Sequence, residues 1–195
     1  MSRGTKGRSG NGQLRIIGGQ WRGRKLSFTA AEGLRPTSDR VRETLFNWLA
    51  ADIHGAKCLD LFAGSGALGL ESLSRGATHC DFIDTSAAAI KQLQSHLQVL
   101  DGASRGRCHN DSALSFLTKA QQRWDIVFVD PPFGQNLLAP TCDLLNQLKC
   151  LSPGAMVYVE SGAKEKLPDF PASWEPHREK KAGGVSYRLF IVHPE

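Results

Sequence analysis

The chain has 195 residues, a net charge of +5 and 41% hydrophobic residues. This length suits one domain with a sizeable core. No apolar run approaches the roughly 20 residues of a membrane helix, and the Gly-, Ser- and Lys/Arg-rich start lacks the apolar segment of a secretory signal, so we expect a cytoplasmic protein.

The positive charge is concentrated at the front of the chain. Residues 1–48 contain ten Lys or Arg and three Asp or Glu, a balance of +7, whereas residues 49–195 balance at −2. A basic front on a near-neutral body favours a polyanionic partner such as nucleic acid. The alternative is that the basic segment serves only solubility.

The cysteines do not follow a metal-binding pattern. The five are scattered, odd in number and lack the C-x₂-C spacing of zinc sites. We therefore expect reduced cysteines that act as small hydrophobic residues, and no bound metal.

The first predicted elements are a tail and a hairpin. Residues 1–12 have the composition of a flexible basic tail. Residues 13–37 are expected to form a hairpin and a loop, because two β-like runs flank a glycine-rich turn around Trp21. Cations around that ring suit RNA phosphates and unstacked bases, whereas the alternative is that the ring packs the hairpin onto the domain. The predicted RNA-binding residues are Arg15, Trp21, Arg22, Arg24 and Lys25.

A helix is predicted from about residue 39 to residue 51. Ser38 is a good N-cap, and Asp39 complements the dipole of the helix. The apolar stripe of this helix consists of Val41, Leu45, Trp48 and Leu49, and the residues off the stripe are Arg40, Arg42 and Glu43.

Strand-like and helix-like segments alternate from residue 57 to residue 160. This alternation predicts an α/β fold built on a parallel sheet. A short helix is expected within 162–172, and a hairpin turning at Gly183-Gly184 is expected at the end of the chain. The predicted strands of the alternating part are 57–62, 79–83, about 105–109, 124–129 and 155–159.

Four of these strands end in an acidic residue, namely Asp60, Asp84, Asp130 and Glu160. Ligands of parallel sheets bind at the carboxyl ends of the strands, so the four acids should line one rim. Such a rim suits a ligand with hydroxyl groups and a cationic centre. Asp84 can accept hydrogen bonds from a ribose diol, which fits NAD and S-adenosylmethionine equally.

A glycine-rich turn follows the first of these acids. Gly64, Gly66 and Gly69 fit G-x-G-x-x-G, which is a weak signal by itself. Asp60 directly before the turn would repel a pyrophosphate but suits an ammonium or sulfonium group. The turn therefore favours S-adenosylmethionine over NAD.

The loop Asp130-Pro131-Pro132-Phe133 supports the same choice, because no nicotinamide reaction needs it. The Asp130 carboxylate and the Pro131 carbonyl can accept hydrogen bonds from an exocyclic amine, and Phe133 can stack on a flipped base. Methylation of that amine would depend mostly on positioning and electrostatics. We predict Asp130, Pro131 and Phe133 as the catalytic residues.

Together these motifs resemble the bacterial methyltransferase family that modifies the exocyclic N2 of one guanine in 16S ribosomal RNA. The resemblance extends from Arg15 to Phe190. It implies a class I, Rossmann-like methyltransferase domain over residues 38–195, with helices on both faces of a seven-stranded, mostly parallel sheet of order 3-2-1-4-5-7-6 whose strand 7 is antiparallel. The motifs that carry the resemblance are 15–19, 21–24, 35–37, 39–43, 59–66 and 130–133.

The same resemblance implies the reaction and its partners. S-adenosylmethionine would be the donor, and guanine 966 of 16S ribosomal RNA, in the 30S subunit or an assembly intermediate, would be the acceptor. We expect a monomer. Arg35 could pair with the carboxylate of the cofactor or with an RNA phosphate, and either Asp111 or Ser112 could contact the adenine. The expected cofactor-binding residues are Asp60, Phe62, Ala63, Gly64, Ser65, Gly66, Asp84, Thr85, Asp111, Ser112, Arg35 and Thr37.

Two other functions compete with this interpretation. An N6-adenine methyltransferase acting on DNA or RNA uses the same loop, although the chain shows no obvious large target-recognition domain. A non-catalytic RNA-binding factor of ribosome assembly could retain a cofactor fold. The intact Asp130 loop and glycine-rich turn argue against that second alternative.

Overall fold

A computed structural model gives the fold of this protein and describes residues 11–29 and 37–193. Arg35 and residues 1–10 of the predicted tail lie outside the described residues. The strands are β1 (Asn11–Arg15), β2 (Lys25–Thr29), β3 (Lys57–Asp60), β4 (His79–Asp84), β5 (Gly106–Asn110), β6 (Trp124–Val129), β7 (Leu151–Gly162), β8 (Trp174–Ala182) and β9 (Val185–Val192). The helices are α1 (Asp39–Trp48), α2 (Ala67–Ser74), α3 (Ala87–Val99), α4 (Ala113–Lys119) and α5 (Leu138–Gln147).

Seven strands form one sheet of order β5-β4-β3-β6-β7-β9-β8. Strands β3 to β7 pair in parallel, whereas β9 is antiparallel to both β7 and β8. The first two strands form a separate hairpin, so the sheet's own strands follow the expected order 3-2-1-4-5-7-6. The chain adds β4 and β5 on one side of β3 and then adds β6 and the later strands on the other side, so the strand order reverses between β3 and β6. Ligands of such sheets bind at this point.

The core consists of two hydrophobic clusters, one on each face of the sheet. Consecutive residues of β6 alternate between them: Ile126 and Phe128 belong to one cluster, and Val127 and Val129 to the other. A strand that is buried on both faces has an uninterrupted apolar sequence, as β6 does. All five cysteines are free and four are buried.

The N-terminal hairpin is packed into the larger cluster. Leu26 and Phe28 are buried there, and Trp21 is only 6% exposed. The Trp21 ring lies against the Arg105 guanidinium, 5.2 Å from its centre, and close to Gly102. A ring enclosed in this way cannot stack on RNA bases, so the prediction of Trp21 as an RNA-binding residue is wrong and the packing alternative is correct.

Three other expectations need correction. No helix forms within 162–172: β7 runs to Gly162, and the connection to β8 contains Pro168 and Pro171, which lack the N–H that a helix interior needs. The strand expected at 155–159 already begins at Leu151, and a register shift against β6 accommodates the added residues, which include Pro153 and Gly154. β1 begins at Asn11, within the segment expected to be tail.

Neither a membrane-spanning helix nor a metal-binding cluster is present in the part of the chain that the structure describes. There, no helix is long and apolar enough to cross a membrane. No group of three or more His, Cys, Asp or Glu side chains is arranged to hold a metal ion within the same residues.

Candidate active site

Four strands bring the predicted acids to one rim. Asp60 and Asp84 are the last residues of β3 and β4, Asp130 directly follows β6, and Glu160 lies near the end of β7. The carboxyl of Asp60 is near enough to repel those of Asp84 and Asp130, and Glu160 likewise repels Asp130. The predicted juxtaposition of the four acids is therefore confirmed.

The glycine-rich turn between β3 and α2 is held in place from β4. Gly64 and Gly66 have φ angles of 52° and 81°, which residues with a side chain rarely adopt. The Gly64 N–H donates to Asp84 Oδ2 at 2.8 Å, and the Ala63 N–H donates to the Ile83 carbonyl at 2.9 Å. Asp84 therefore fixes the turn that follows the neighbouring strand.

Asp84 retains the capacity to bind a diol. Its Oδ1 accepts the Ser86 N–H at 2.8 Å, so each carboxylate oxygen uses one lone pair and keeps another. Asp84, Ser65 and Phe62 are half-buried and Thr85 is exposed, so a ligand can reach them. A carboxylate for hydroxyls and an aromatic face for a base fit the ribose and adenine of S-adenosylmethionine.

Asp60 is buried beneath this turn. Its Oδ2 accepts the Gly69 N–H at 3.1 Å. Burial, together with a smaller contribution from the charge of Asp84, raises the pKa of Asp60 to about 7. Within the described residues no Lys, Arg or His forms an ion pair with Asp60. A cationic ligand at the rim would lower this pKa, because an opposite charge favours the carboxylate.

One hydroxyl joins the two acids at the other side of the rim. Thr37 Oγ1 lies 3.2 Å from Asp130 Oδ2 and 3.5 Å from Glu160 Oε2. The Tyr158 hydroxyl donates to the same Glu160 oxygen at 2.9 Å. Burial, followed by the charge of Glu160, raises the pKa of Asp130 well above its usual range. Burial also raises the pKa of Glu160.

Thr37 contacts two acids of the rim. The sequence predicts Thr37 as a cofactor-binding residue, and in the structure its hydroxyl lies against Asp130 and Glu160. Its role toward the cofactor stays a prediction, because Asp130 lies beside the cofactor turn.

The loop after Asp130 borders a cavity of about 520 Å³. Glu165 braces this loop: its Oε1 accepts the Gly134 N–H at 2.6 Å, and its Oε2 accepts the Gly162 N–H at 2.9 Å. Phe133 is 42% exposed, so its ring is free to meet a partner. The walls of the cavity include Pro131, Pro132, Leu137, Glu160, Ser161 and Lys166.

The two candidates for the adenine contact are both anchored near β4. Ser112 Oγ accepts the Ser115 N–H at 3.1 Å and caps α4. Asp111 accepts from Lys119 Nζ at 2.9 Å, and this hydrogen bond lowers the pKa of Asp111. The Asp111 N–H donates to the Asp84 carbonyl at 3.2 Å, which puts both candidates beside the predicted ribose site.

The cations of the hairpin are on the surface, as predicted. Arg15, Arg22, Arg24 and Lys25 are exposed. Arg15 pairs with Asp39 at 3.3 Å, and an Arg24 nitrogen lies 3.4 Å from the Val99 carbonyl. Arg22 and Lys25 form no ion pair with any described residue. RNA binding by these four residues stays a prediction.

The sequence interpretation missed a buried charge cluster that joins the hairpin to α1 and α2. Glu71 is fully buried and accepts the Ile17 and Gly18 N–H groups at 2.9 and 2.8 Å. Arg75 Nε donates to Glu71 at 2.8 Å, and the Arg42 guanidinium lies 3.5 Å away. The signal was present in α2, where Glu71 is the one charged residue of an otherwise small and apolar helix.

Arg42 was placed off the apolar stripe of α1, yet it is only 1% exposed. Its Nη2 donates to the Arg15 carbonyl at 3.0 Å and to Asp39 at 2.6 Å. Its charged partners are Asp39 on the same helix and Glu71 on α2, and the Arg15 carbonyl adds a neutral acceptor. These partners make the burial possible, and the helical periodicity of α1 does not reveal the two that lie on other segments.

This chain is similar to known methyltransferases over almost its whole length. A family model described as "Conserved hypothetical protein 95" matches residues 14–191. Ribosomal RNA small subunit methyltransferase D of Escherichia coli strain K12 is 54% identical over 182 residues, covering 93% of this chain and 91% of the relative. A solved structure of a methyltransferase from Escherichia coli has 53% identity and a TM-score of 0.86, over 94% of this chain and 100% of that one.

A more distant solved structure is that of an RNA methyltransferase from Salinibacter ruber in complex with S-adenosyl-L-homocysteine. It is 17% identical, with a TM-score of 0.62 over 83% of this chain and 95% of that one. At that identity the likeness shows the fold alone.

Proposed function

This chain belongs to the family described as "Conserved hypothetical protein 95", with ribosomal RNA small subunit methyltransferase D of Escherichia coli as a relative, and we propose that it methylates the exocyclic N2 of a guanine in 16S ribosomal RNA. The donor is S-adenosylmethionine, bound over the turn at Gly64. The proposed acceptor is guanine 966, in the 30S subunit or an assembly intermediate.

The observation that carries the proposal is the position of Asp130 between two sites. On one side lies the glycine-rich turn: Asp130 is close to Asp60, and β3 pairs with β6 in parallel. On the other side lies the cavity bordered by Pro131 and Glu160. Pro131, the neighbour of Asp130 in the chain, lines that cavity, so we propose that a base bound there has its amine at Asp130, facing the donor site.

The chemistry of the amine follows from this placement. S-adenosylmethionine would supply an electrophilic methyl group, whose bond to sulfur breaks as the bond to the amine nitrogen forms, leaving S-adenosylhomocysteine. The Asp130 carboxylate and the Pro131 carbonyl accept the N2 hydrogens, which orients the amine and increases the electron density on its nitrogen. Phe133 stacks on the base. Once the nitrogen carries the methyl group, it must lose a proton. The Asp130 carboxylate can accept that proton, because the pKa of Asp130 is raised.

The exposed cations of the hairpin supply the attraction to RNA. Arg22, Arg24 and Lys25 lie on one two-stranded element with its turn, and exposed arginines and lysines bind phosphates without reading the sequence of bases. Selection of one guanine then requires its exposure on the particle. The substrate implies that the protein works in the bacterial cytoplasm.

We also propose that the protein acts as a monomer. Among the described residues the exposed large hydrophobic side chains are Val99, Phe133 and Leu148, which lie on separate elements. Scattered residues of this kind do not make the continuous apolar patch of a stable subunit interface.

The test is to map labelled methyl groups after incubation with 30S particles, free 16S ribosomal RNA and DNA. We expect label on N2 of one guanine, with the 30S particle or an assembly intermediate as the substrate. Label on adenine N6 or on DNA would overturn the proposal. Binding to the particle without any methyl transfer would favour the assembly-factor alternative.

A further inference from the structure

Glu160 has no part in the chemistry above, although it lies in the same site. It is 4% exposed and lines the cavity beside Pro131. A buried carboxyl without a cationic partner destabilises a fold, so its presence at a cavity wall points to a polar ligand. Within the part of the chain that is described, Glu160 forms no ion pair.

The hydrogen bonds of the two acids leave one oxygen of each for a ligand. The Thr37 hydroxyl contacts Asp130 Oδ2, and the hydroxyls of Thr37 and Tyr158 both contact Glu160 Oε2. No donor among the described residues reaches Asp130 Oδ1 or Glu160 Oε1. Ser161, which follows Glu160 at the cavity wall and is 2% exposed, also has a hydroxyl without a partner among those residues.

Guanine offers two adjacent donors on its Watson–Crick edge, the N2 amine and N1–H. Adenine instead offers an amine beside N1, which is an acceptor. Two neighbouring acceptors therefore match guanine and repel adenine. The shared Thr37 hydroxyl keeps the carboxyls of Asp130 and Glu160 close enough to face such a pair.

We infer that Glu160 accepts the N1–H of the target guanine through Oε1, while Asp130 holds the N2 amine. Glu160 would thus determine the specificity for guanine. This role rests on the proposed function, because it presumes that a guanine amine lies at Asp130. The hydrogen bond from N1–H favours the charged carboxylate, so the base would lower the pKa that burial has raised.

The experiment compares guanine with 2-aminopurine at the target position. 2-Aminopurine keeps the 2-amino group but has an unprotonated N1. The two bases are introduced by ligation into 16S ribosomal RNA, which is assembled into 30S particles, and kcat/KM for methyl transfer is measured. For the unmodified enzyme we expect a preference for guanine of roughly 10- to 100-fold, the effect of one hydrogen bond to a charged acceptor.

Glu160→Gln tests whether this preference comes from residue 160. The amide can accept from N1–H or donate to an unprotonated N1, so we expect slower methylation of guanine and a preference that falls to about threefold or less. 2-Aminopurine also lacks the oxygen at position 6. Any preference that depends on that oxygen would survive the substitution, and this would overturn the inference.

Glu165→Gln is the matched control, because Glu165 lines the same cavity and braces the same loop but touches it only through backbone N–H groups. We expect this variant to lower kcat/KM for methylation of guanine and of 2-aminopurine by the same factor. Binding of S-adenosylhomocysteine, measured by calorimetry, reports on folding and on the donor site. Loss of that affinity in Glu160→Gln would assign Glu160 to the cofactor and overturn its role toward guanine.

The unmodified enzyme separates the two hypotheses. If it does not methylate guanine in the particle, the proposed function fails. If it methylates guanine and 2-aminopurine equally well, the proposed function stands and the role of Glu160 is refuted.

Discussion

The protein contains two groups of buried or half-buried acids that are built in opposite ways. Glu71 lies among four donors, namely two backbone N–H groups and the side chains of Arg42 and Arg75. The rim acids Asp60, Asp130 and Glu160 have hydroxyl or backbone donors and no cation within the described residues. The first group is complete without a ligand. The second group is complete only when a ligand supplies donors and positive charge, which separates a structural cluster from an active site.

The largest effect should come from Asp130→Ala, which removes the acceptor for the amine. We expect methyl transfer to 30S particles to fall roughly 100- to 1,000-fold, as when other preorganised electrostatic groups are removed. Binding of S-adenosylhomocysteine should change little, because Asp130 belongs to the acceptor side of the rim. A variant that lost mainly its cofactor affinity would contradict this assignment.

Glu71→Ala should instead damage the fold. It leaves the buried Arg42 guanidinium without one of its anionic partners and two backbone N–H groups without acceptors. The expected loss in the free energy of unfolding is about 3–5 kcal/mol, measured by urea denaturation. Glu160→Gln is the comparison from the other group, and it should cost far less stability. Equal losses in the two variants would remove the distinction between the groups.

Asp60→Asn should show how much the unpaired Asp60 carboxylate lowers the free energy of unfolding. The folded pKa of about 7 exceeds the ordinary value of 3.8, so the folded state holds a proton that the unfolded state releases. This stabilisation is complete below about pH 4 and is lost as the pH rises to 7. At pH 8 the variant should therefore be more stable than the unmodified protein, by roughly 2–4 kcal/mol. At pH 4 the two should be similar, and an equal difference at both pH values would show that Asp60 does not titrate near 7.

The smallest effects should come from the surface of the hairpin. Arg22→Ala and Arg24→Ala should each weaken RNA binding and reduce the slope of log affinity against log salt by about 1. Lys149→Ala is a matched control, because Lys149 is exposed but lies after α5, far along the chain from the hairpin. An unchanged slope in the arginine variants would assign those residues to the fold alone.

Local patterns predicted much of this molecule. The alternation of apolar strands with helical stripes indicated the α/β sheet, and the acids at strand ends indicated the rim, because both depend on short segments of sequence. Ser38 and Ser86 cap their helices through contacts three residues away. Such features can be predicted because their partners are close in sequence.

The features that were missed depend on partners that are distant in sequence. Glu71 binds backbone groups 53 and 54 residues away, and Thr37 meets Asp130 and Glu160 across 93 and 123 residues. Trp21 is surrounded by arginines in the sequence, which suggested an exposed ring. The residues that enclose it, Gly102 and Arg105, are about 80 positions away and meet it only in the folded structure. The hydrophobic periodicity of a helix or strand identifies which of its faces is buried, but it does not identify the segment that packs against that face.

Helix α2 has a consequence for the order in which this protein becomes competent. The helix directly follows Gly66, the end of the cofactor turn, and it holds the hairpin through Glu71 and through Ser74, whose hydroxyl accepts the Trp21 N–H at 3.0 Å. A nascent chain that has not yet formed α2 therefore lacks both the donor site and an anchored basic face. Under the proposed function, firm attachment to ribosomal RNA would then be reserved for molecules that are already able to bind the methyl donor.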